Sequence, residues 1–258
     1  WIGGTKNFDA WQKVVRANAL NASMNQSSMH EAIPLLEEAV TLDPDFASAH
    51  AVLATANFHF IINGWAAEPA PYLMAVLKHA SKAREIDPRS PLAAALLAFS
   101  ALAMGDRENA NRLANETIEF GPNIIASLIL AAMMLGYLGR LAEAANVIEQ
   151  CFRLSPIART TISTTAAFIY STKGDFAQAE IHGHNLLADD PASVNGFTTL
   201  IIARHQTGDI QSARQFAAAL MAKVPEFSIE KFLTSRFLAG TPIGERPRQS
   251  LEAVGLHA

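Results

Sequence analysis

The chain has 258 residues, half of them hydrophobic and 17% charged, with a formal net charge of −4. That composition supports a sizeable core and excludes a disordered chain, and neither the charge nor any basic run favours nucleic acid as a partner. A single cysteine, Cys151, excludes an internal disulfide framework and fits a reducing compartment, hence a cytoplasmic location.

Residue 1 is Trp1, with no charged-then-apolar leader after it, so the sequence is expected to be a piece of a longer chain or a processed product. The first predicted helix covers about Asp9–Ala22, and a polar loop, Ser23–Ser28, leads to a second, about Met29–Leu42. Ala32, Leu36 and Ala39 fall on one face of that second helix, and Asp43-Pro44 ends it. A third helix is expected over Ala47–Ile62. A detour, Asn63–Tyr72, then precedes its partner, Leu73–Ile86, and accounts for ten extra residues between Pro44 and Pro88. Within the detour Trp65 is a candidate loop anchor, either exposed to a partner or a second copy of the chain, or folded back to seal its own hairpin. Pro69 and Pro71 stiffen the end of the detour.

From Pro88 the punctuation is regular. Pro88, Pro122, Pro156, Pro191 and Pro225 are separated by 34, 34, 35 and 34 residues. Gly105, Gly139, Gly174 and Gly208 keep the same beat, and each is followed five residues later by Ala110, Ala144, Ala179 or Ala213. Each repeat reads as helix A, a glycine turn, helix B and a proline turn. In the third, helix A is about Leu92–Met104, Gly105 supplies the left-handed residue that ends it, and Asp106 caps helix B. Asp175 and Asp209 stand in the same place. Gln178, three residues after Asp175, fits a capping box. The alanines sit where two helices cross closely, so they are expected to be buried.

Self-similarity of this kind marks an all-α solenoid of about six stacked hairpins over residues 1–225, with units ending near 44, 88, 122, 156, 191 and 225. Residues 226–258 are expected to form capping helices, a closing helix over Ser228–Leu238 and a short last one near Arg248–Val254. The run Ile124–Leu138 has fifteen residues without a charge. It falls short of the ~20 residues a membrane span needs and reads as an inner helix, so no membrane partner is expected.

The period, the inner-turn glycine, the alanine five later and the closing proline resemble tetratricopeptide repeats over Pro88–Pro225. The early helix A aromatic of that family is replaced by His50, Ala94 and Leu128 in three repeats. The resemblance implies a right-handed superhelix whose A helices line a concave groove. A narrower resemblance rests on Asn7-Phe8-Asp9-Ala10-Trp11, Ala32–Ala39, Leu42–Ala47, Gly64-Trp65 and Leu251–Leu256. These segments are similar to the C-terminal repeat region of bacterial class III adenylate/guanylate cyclase-like proteins and winged-helix regulators. That likeness implies a regulatory module of a signalling protein and places any cyclase activity in a preceding segment.

No catalytic, cofactor-binding or metal-binding residue is expected in the chain. His182 and His184 are two apart on a predicted helix and point to different faces, whereas a helical metal pair wants three or four. No Gly-x-Ser-x-Gly and no phosphate-cradling glycine loop occurs. The groove is the candidate site. The family's groove positions give Ala95, Phe99 and Leu102, then Ile129, Met133 and Tyr137, then Thr161, Thr164, Phe168 and Thr172, then Asn195, Thr198, Ile202 and His205. The residues singled out for partner contact are Phe99, Met133, Tyr137, Thr164, Phe168, Thr172, Ile202 and His205. Only Asn195 among the groove positions is of a type that family uses to clamp carboxylates. The surface therefore suits a protein or peptide with apolar anchors, or side chains filled in by neighbouring helices. A small molecule held near the Thr-rich helix A, shifting the curvature of the array, is the alternative.

Overall fold

The computed structural model describes residues 4–21, 25–155 and 159–257, and every regular element among them is helical. In chain order these are α1 (Phe8–Asn21), α2 (Gln26–Leu42), α3 (Ala47–Ile62), α4 (Pro69–Ile86), α5 (Pro91–Ala103), α6 (Arg107–Phe120) and α7 (Ile125–Tyr137). They continue with α8 (Leu141–Leu154), α9 (Arg159–Lys173), α10 (Phe176–Asp189), α11 (Val194–Gln206), α12 (Ile210–Lys223), α13 (Ile229–Ser235) and α14 (Pro242–Glu252). The chain divides into two compact halves, residues 1–127 and 128–258.

In the first half each A helix pairs with the B helix that follows it, and each hairpin then packs on the next through α2 against α3 and α4 against α5. The second half repeats the pattern with α8 against α9, α10 against α11, and α9 against α11. This ordered stacking is that of a helical repeat array. The loop Ser23–Ser28 and the Pro156 turn fall partly outside the described residues.

The inner turns are built alike. Gly105, Gly139, Gly174 and Gly208 all hold φ between +82 and +86, which only glycine adopts without strain. In each, the glycine N–H reaches back three residues and the next N–H five residues, as in Asp106 to Ala101 O at 2.9 Å. Asp106, Asp175 and Asp209 then accept from Asn109, Gln178 and Ser212 N–H, respectively. The capping box expected at Gln178 is only half formed. Asp175 N–H, which a capping-box glutamine would need, is already taken by Tyr170 O at 2.9 Å. Ala110, Ala144, Ala179 and Ala213 are each 0% exposed, as their position at the crossing requires.

The second repeat departs from its sequence reading. Its helix B starts at Pro69, four residues before the expected Leu73, because Pro69 and Pro71 lie in a first turn that has no N–H partner to lose. Of the ten extra residues, seven lengthen α3 and α4 and three lengthen the loop between them. Gly64, at φ +69, makes the same turn as the other four glycines. Two other helices also begin earlier than expected. α2 starts at Gln26, capped by Asn25, and α14 starts at Pro242, capped by Thr241. The closing helix α13 is shorter than expected, ending at Ser235.

A pair of imidazoles joins α3 to α4. His50 Nδ1 lies 3.0 Å from His79 Nδ1, and His50 Nε2 lies 3.1 Å from Pro44 O. Burial, then the neighbouring His50 and Lys78, hold His79 down at about 4, and burial also lowers His50 against Pro44 O, with Lys82, Lys78 and Asp45 close by. The folded chain keeps these rings neutral, while the unfolded chain protonates them below about 6.5. Stability is therefore full above that value and is lost as pH falls toward 4. Thermal melts at pH 7.5 and 5.0 should show this loss, and His79→Gln should make it smaller.

Candidate functional site

The groove positions of the second half meet the C-terminal helices. α9 and α11 lie side by side, and α14 returns to pack on α11. Between them lies a cavity of about 290 Å³. Thr164, Phe168 and Thr172 of α9, with Asn195, Thr198 and Ile202 of α11, form its repeat wall, and Phe232, Arg236, Leu238, Ile243 and Arg246 form the opposite wall.

Local contacts fix each wall. Thr172 donates to Phe168 O at 2.7 Å and Thr198 to Val194 O at 2.8 Å, so the protons of these hydroxyls are spent on their own helices. The Phe168 ring packs 4.9 Å from Tyr137 and rests on Gly136, where a Cβ would come within 2.8 Å of it. The Tyr137 hydroxyl is raised to about 12 by burial, with Arg236 acting the other way. Ser171 Oγ is buried at the cavity edge with no hydrogen-bond partner among the described residues.

The C-terminal wall is held by polar contacts. Arg246 donates to Ser171 O at 3.0 Å and Thr172 O at 2.9 Å, at the carbonyl end of α9, where a cation also meets the helix dipole favourably. Ser250 Oγ lies 3.1 Å from His205 Nδ1 and accepts from Gln206 Nε2 at 3.0 Å. Arg236 donates to Asn195 Oδ1 and sits 5.3 Å over the Phe232 ring. α13 ends in the same turn as the A helices, but with Phe237 at φ 54 where they have glycine, and this directs the chain from Arg236 toward α14.

Four of the eight residues expected in the groove line this cavity: Thr164, Phe168, Thr172 and Ile202. His205 fastens α14 instead, and Tyr137 supports Phe168 from behind while itself only 9% exposed. Met133 is half-buried in α7. Phe99, in the first half, is 2% exposed and edge-on to Phe58 at 4.7 Å. Trp65 is half-buried, 5.8 Å from Phe60. It comes directly after the Gly64 turn, where an apolar side chain regularly packs back on the last turn of the helix. The sequence reading missed Arg236, Arg246 and Gly136. Thr241-Pro242, a cap followed by a first-turn proline, was the available signal that the last helix begins early enough to carry Arg246.

Ser163 Oγ lies 3.3 Å from His182 Nδ1, yet Ser163 is 0% exposed and His182 is sandwiched between Phe152 and Tyr170. His184, two residues on, is exposed on another face. Burial raises Cys151 to about 11, which suits an unreactive thiol. Among the described residues no three His, Cys, Asp or Glu side chains are grouped to hold a metal ion, and no helix is long and apolar enough to cross a membrane.

The sequence model of the tetratricopeptide repeat matches residues 125–157. No curated protein sequence matches the chain. Solved structures give the fold. PilW, a type IV pilus biogenesis factor, superimposes with a TM-score of 0.56 at 14% identity, covering 78% of this chain and 93% of PilW. A thermophilic tetratricopeptide protein of Thermus thermophilus, TTC0263, gives 0.53 at 17% identity, covering 77% and 99%. The human IFIT1 dimer with PPP-AAAA gives 0.64 at 12% identity, covering 89% of this chain and 59% of that one. The chain therefore has a helical repeat fold like that of these tetratricopeptide proteins, and residues 125–157 carry the sequence of one such repeat.

Proposed function

We propose that this is a non-catalytic binding module whose second half takes a small molecule, and that occupancy changes how the C-terminal helices sit on the repeats. The supporting observation is the closure of the groove. Where a peptide or helix would lie along α9 and α11, the chain's own α13–α14 segment already does, leaving a cavity of about 290 Å³. That is near the lower limit of the volumes usual for small-molecule sites. Residues of α8, α9 and α11 supply one wall and the segment from Phe232 to Pro247 the other. The resemblance to cyclase-like and winged-helix regulators supports a regulatory place in a larger, cytoplasmic signalling protein.

The uncharged dye N-phenyl-1-naphthylamine tests this reading. It should gain fluorescence at one site per chain. Thr164→Trp should abolish the gain without lowering the melting temperature, because among the described residues the half-buried Thr164 hydroxyl bonds only to its own helix, at Thr160 O. Equal dye binding by the Thr164→Trp chain, or none by the unaltered one, would count against the cavity as a ligand site.

A second reading has its own support. Hydrogen bonds of Arg246, His205 and Gln206 help to fasten α14, and an apolar partner helix that displaced it would use Phe168 and Ile202 as anchors. The partner would then be a protein, or a second copy forming a homodimer. Its signature is partner binding that competes with the dye.

A further inference from the structure

We infer that the ligand of this cavity is a small organic anion, a carboxylate or sulfonate head on an aliphatic or aromatic body. The inference rests on the small-molecule reading above and adds the chemistry of the occupant. The two walls differ in kind. Phe168, Ile202 and Ala167 make the repeat wall mostly apolar, its Asn195 amide oxygen being taken up by Arg236, while the C-terminal wall carries two guanidinium groups, Arg236 and Arg246. Among the described residues no carboxylate lines the cavity.

The hydrogen bonds of the two arginines leave donors to spare. A guanidinium has five N–H groups. Arg236 uses Nη2 on Asn195 Oδ1, a neutral acceptor, and Arg246 uses Nη1 on two backbone carbonyls. Among the described residues neither has an acidic partner, whereas Arg84, Arg112, Arg140, Arg204 and Arg248 each form an ion pair. Two cations without a carboxylate partner, beside a largely apolar cavity, are the arrangement that binds an anion by charge-assisted hydrogen bonds and its body by burial. Arg236 directly follows α13 and Arg246 lies in α14, so the anion would join that closing segment to the repeats.

Displacement of N-phenyl-1-naphthylamine by octanoate and by octan-1-ol tests this. The two share a chain and differ at the head. In an uncharged cavity the alcohol wins, because the carboxylate loses more hydration. Opposite unpaired guanidiniums, octanoate should displace the dye at about tenfold lower concentration than octan-1-ol. Arg236→Met, which keeps most of the stem but no charge, should bring the octanoate-to-octanol ratio to that of an uncharged cavity, and Arg246→Gln should reduce it. If octan-1-ol matches or beats octanoate on the unaltered chain, the anion inference fails and the cavity stands. If the dye does not bind, the small-molecule reading fails with it. An undiminished preference in Arg236→Met would remove Arg236 from the site. Should either variant not fold, the octanoate-to-octanol ratio of the unaltered chain decides alone.

Discussion

Gly244→Ala should unseat the C-terminal helix and abolish dye binding together. Gly244 is buried in the first turn of α14, where a Cβ would overlap the Leu238 carbonyl oxygen and lie 2.8 Å from its carbon. A backbone carbonyl cannot rotate aside as a side-chain end can, so either the Leu238–Thr241 loop shifts or α14 lifts off α11. Overpacking of this kind costs about 1–3 kcal/mol, and here it falls on a segment of two short helices. Limited proteolysis should then cut between α12 and α14, and the fluorescence of bound N-phenyl-1-naphthylamine should vanish. A variant with unchanged protease resistance and dye binding would mean that α14 is not seated against Leu238 as described.

Gly196→Val should be the most destabilising single change among the repeats of the second half. α10 and α11 cross at a pair of facing glycines. A Cβ on Gly196 would lie 2.8 Å from Leu187 Cγ and 3.1 Å from Gly183 O, and one on Gly183 would lie 2.9 Å from Leu200 Cγ. A branched side chain there forces the helices apart, and separated helices lose the packing of Leu186 and Leu200, both nearly fully buried. The expected cost is about 3 kcal/mol, which for a body of this size lowers the melting temperature by roughly 10 °C. Ala218→Val on the exposed face of α12 is the control and should leave the melt almost unchanged. Equal melts for the two variants would show that the crossing is looser than the glycine pair implies.

The repeat fold was readable because its turns are written locally. A glycine with φ near +85 and an aspartate cap act over five or six residues, and proline ends the next helix, so periodicity alone located α5 to α12. Helix starts at Pro69 and Pro242 were harder, since proline reads first as a breaker and only second as a first-turn residue. The half-formed box at Gln178 failed because two local motifs wanted the same N–H. The cavity was only half readable. Thr164, Phe168, Thr172 and Ile202 follow from repeat register, but Arg236 and Arg246 reach the site through a return of the chain that no local pattern encodes. Gly136, Gly183 and Gly196 sit inside helices, where the reason for a glycine appears only when the neighbouring helix is in place.

The uniform inner turns bear on how such a chain can change over generations. Because the hairpins turning at Gly64, Gly105, Gly139, Gly174 and Gly208 are closed by backbone hydrogen bonds around that one glycine, many other positions in those repeats answer mainly to size and polarity. Substitutions can then accumulate freely between the turns while the scaffold persists, and a lineage can exchange the groove's chemistry without inventing a new architecture.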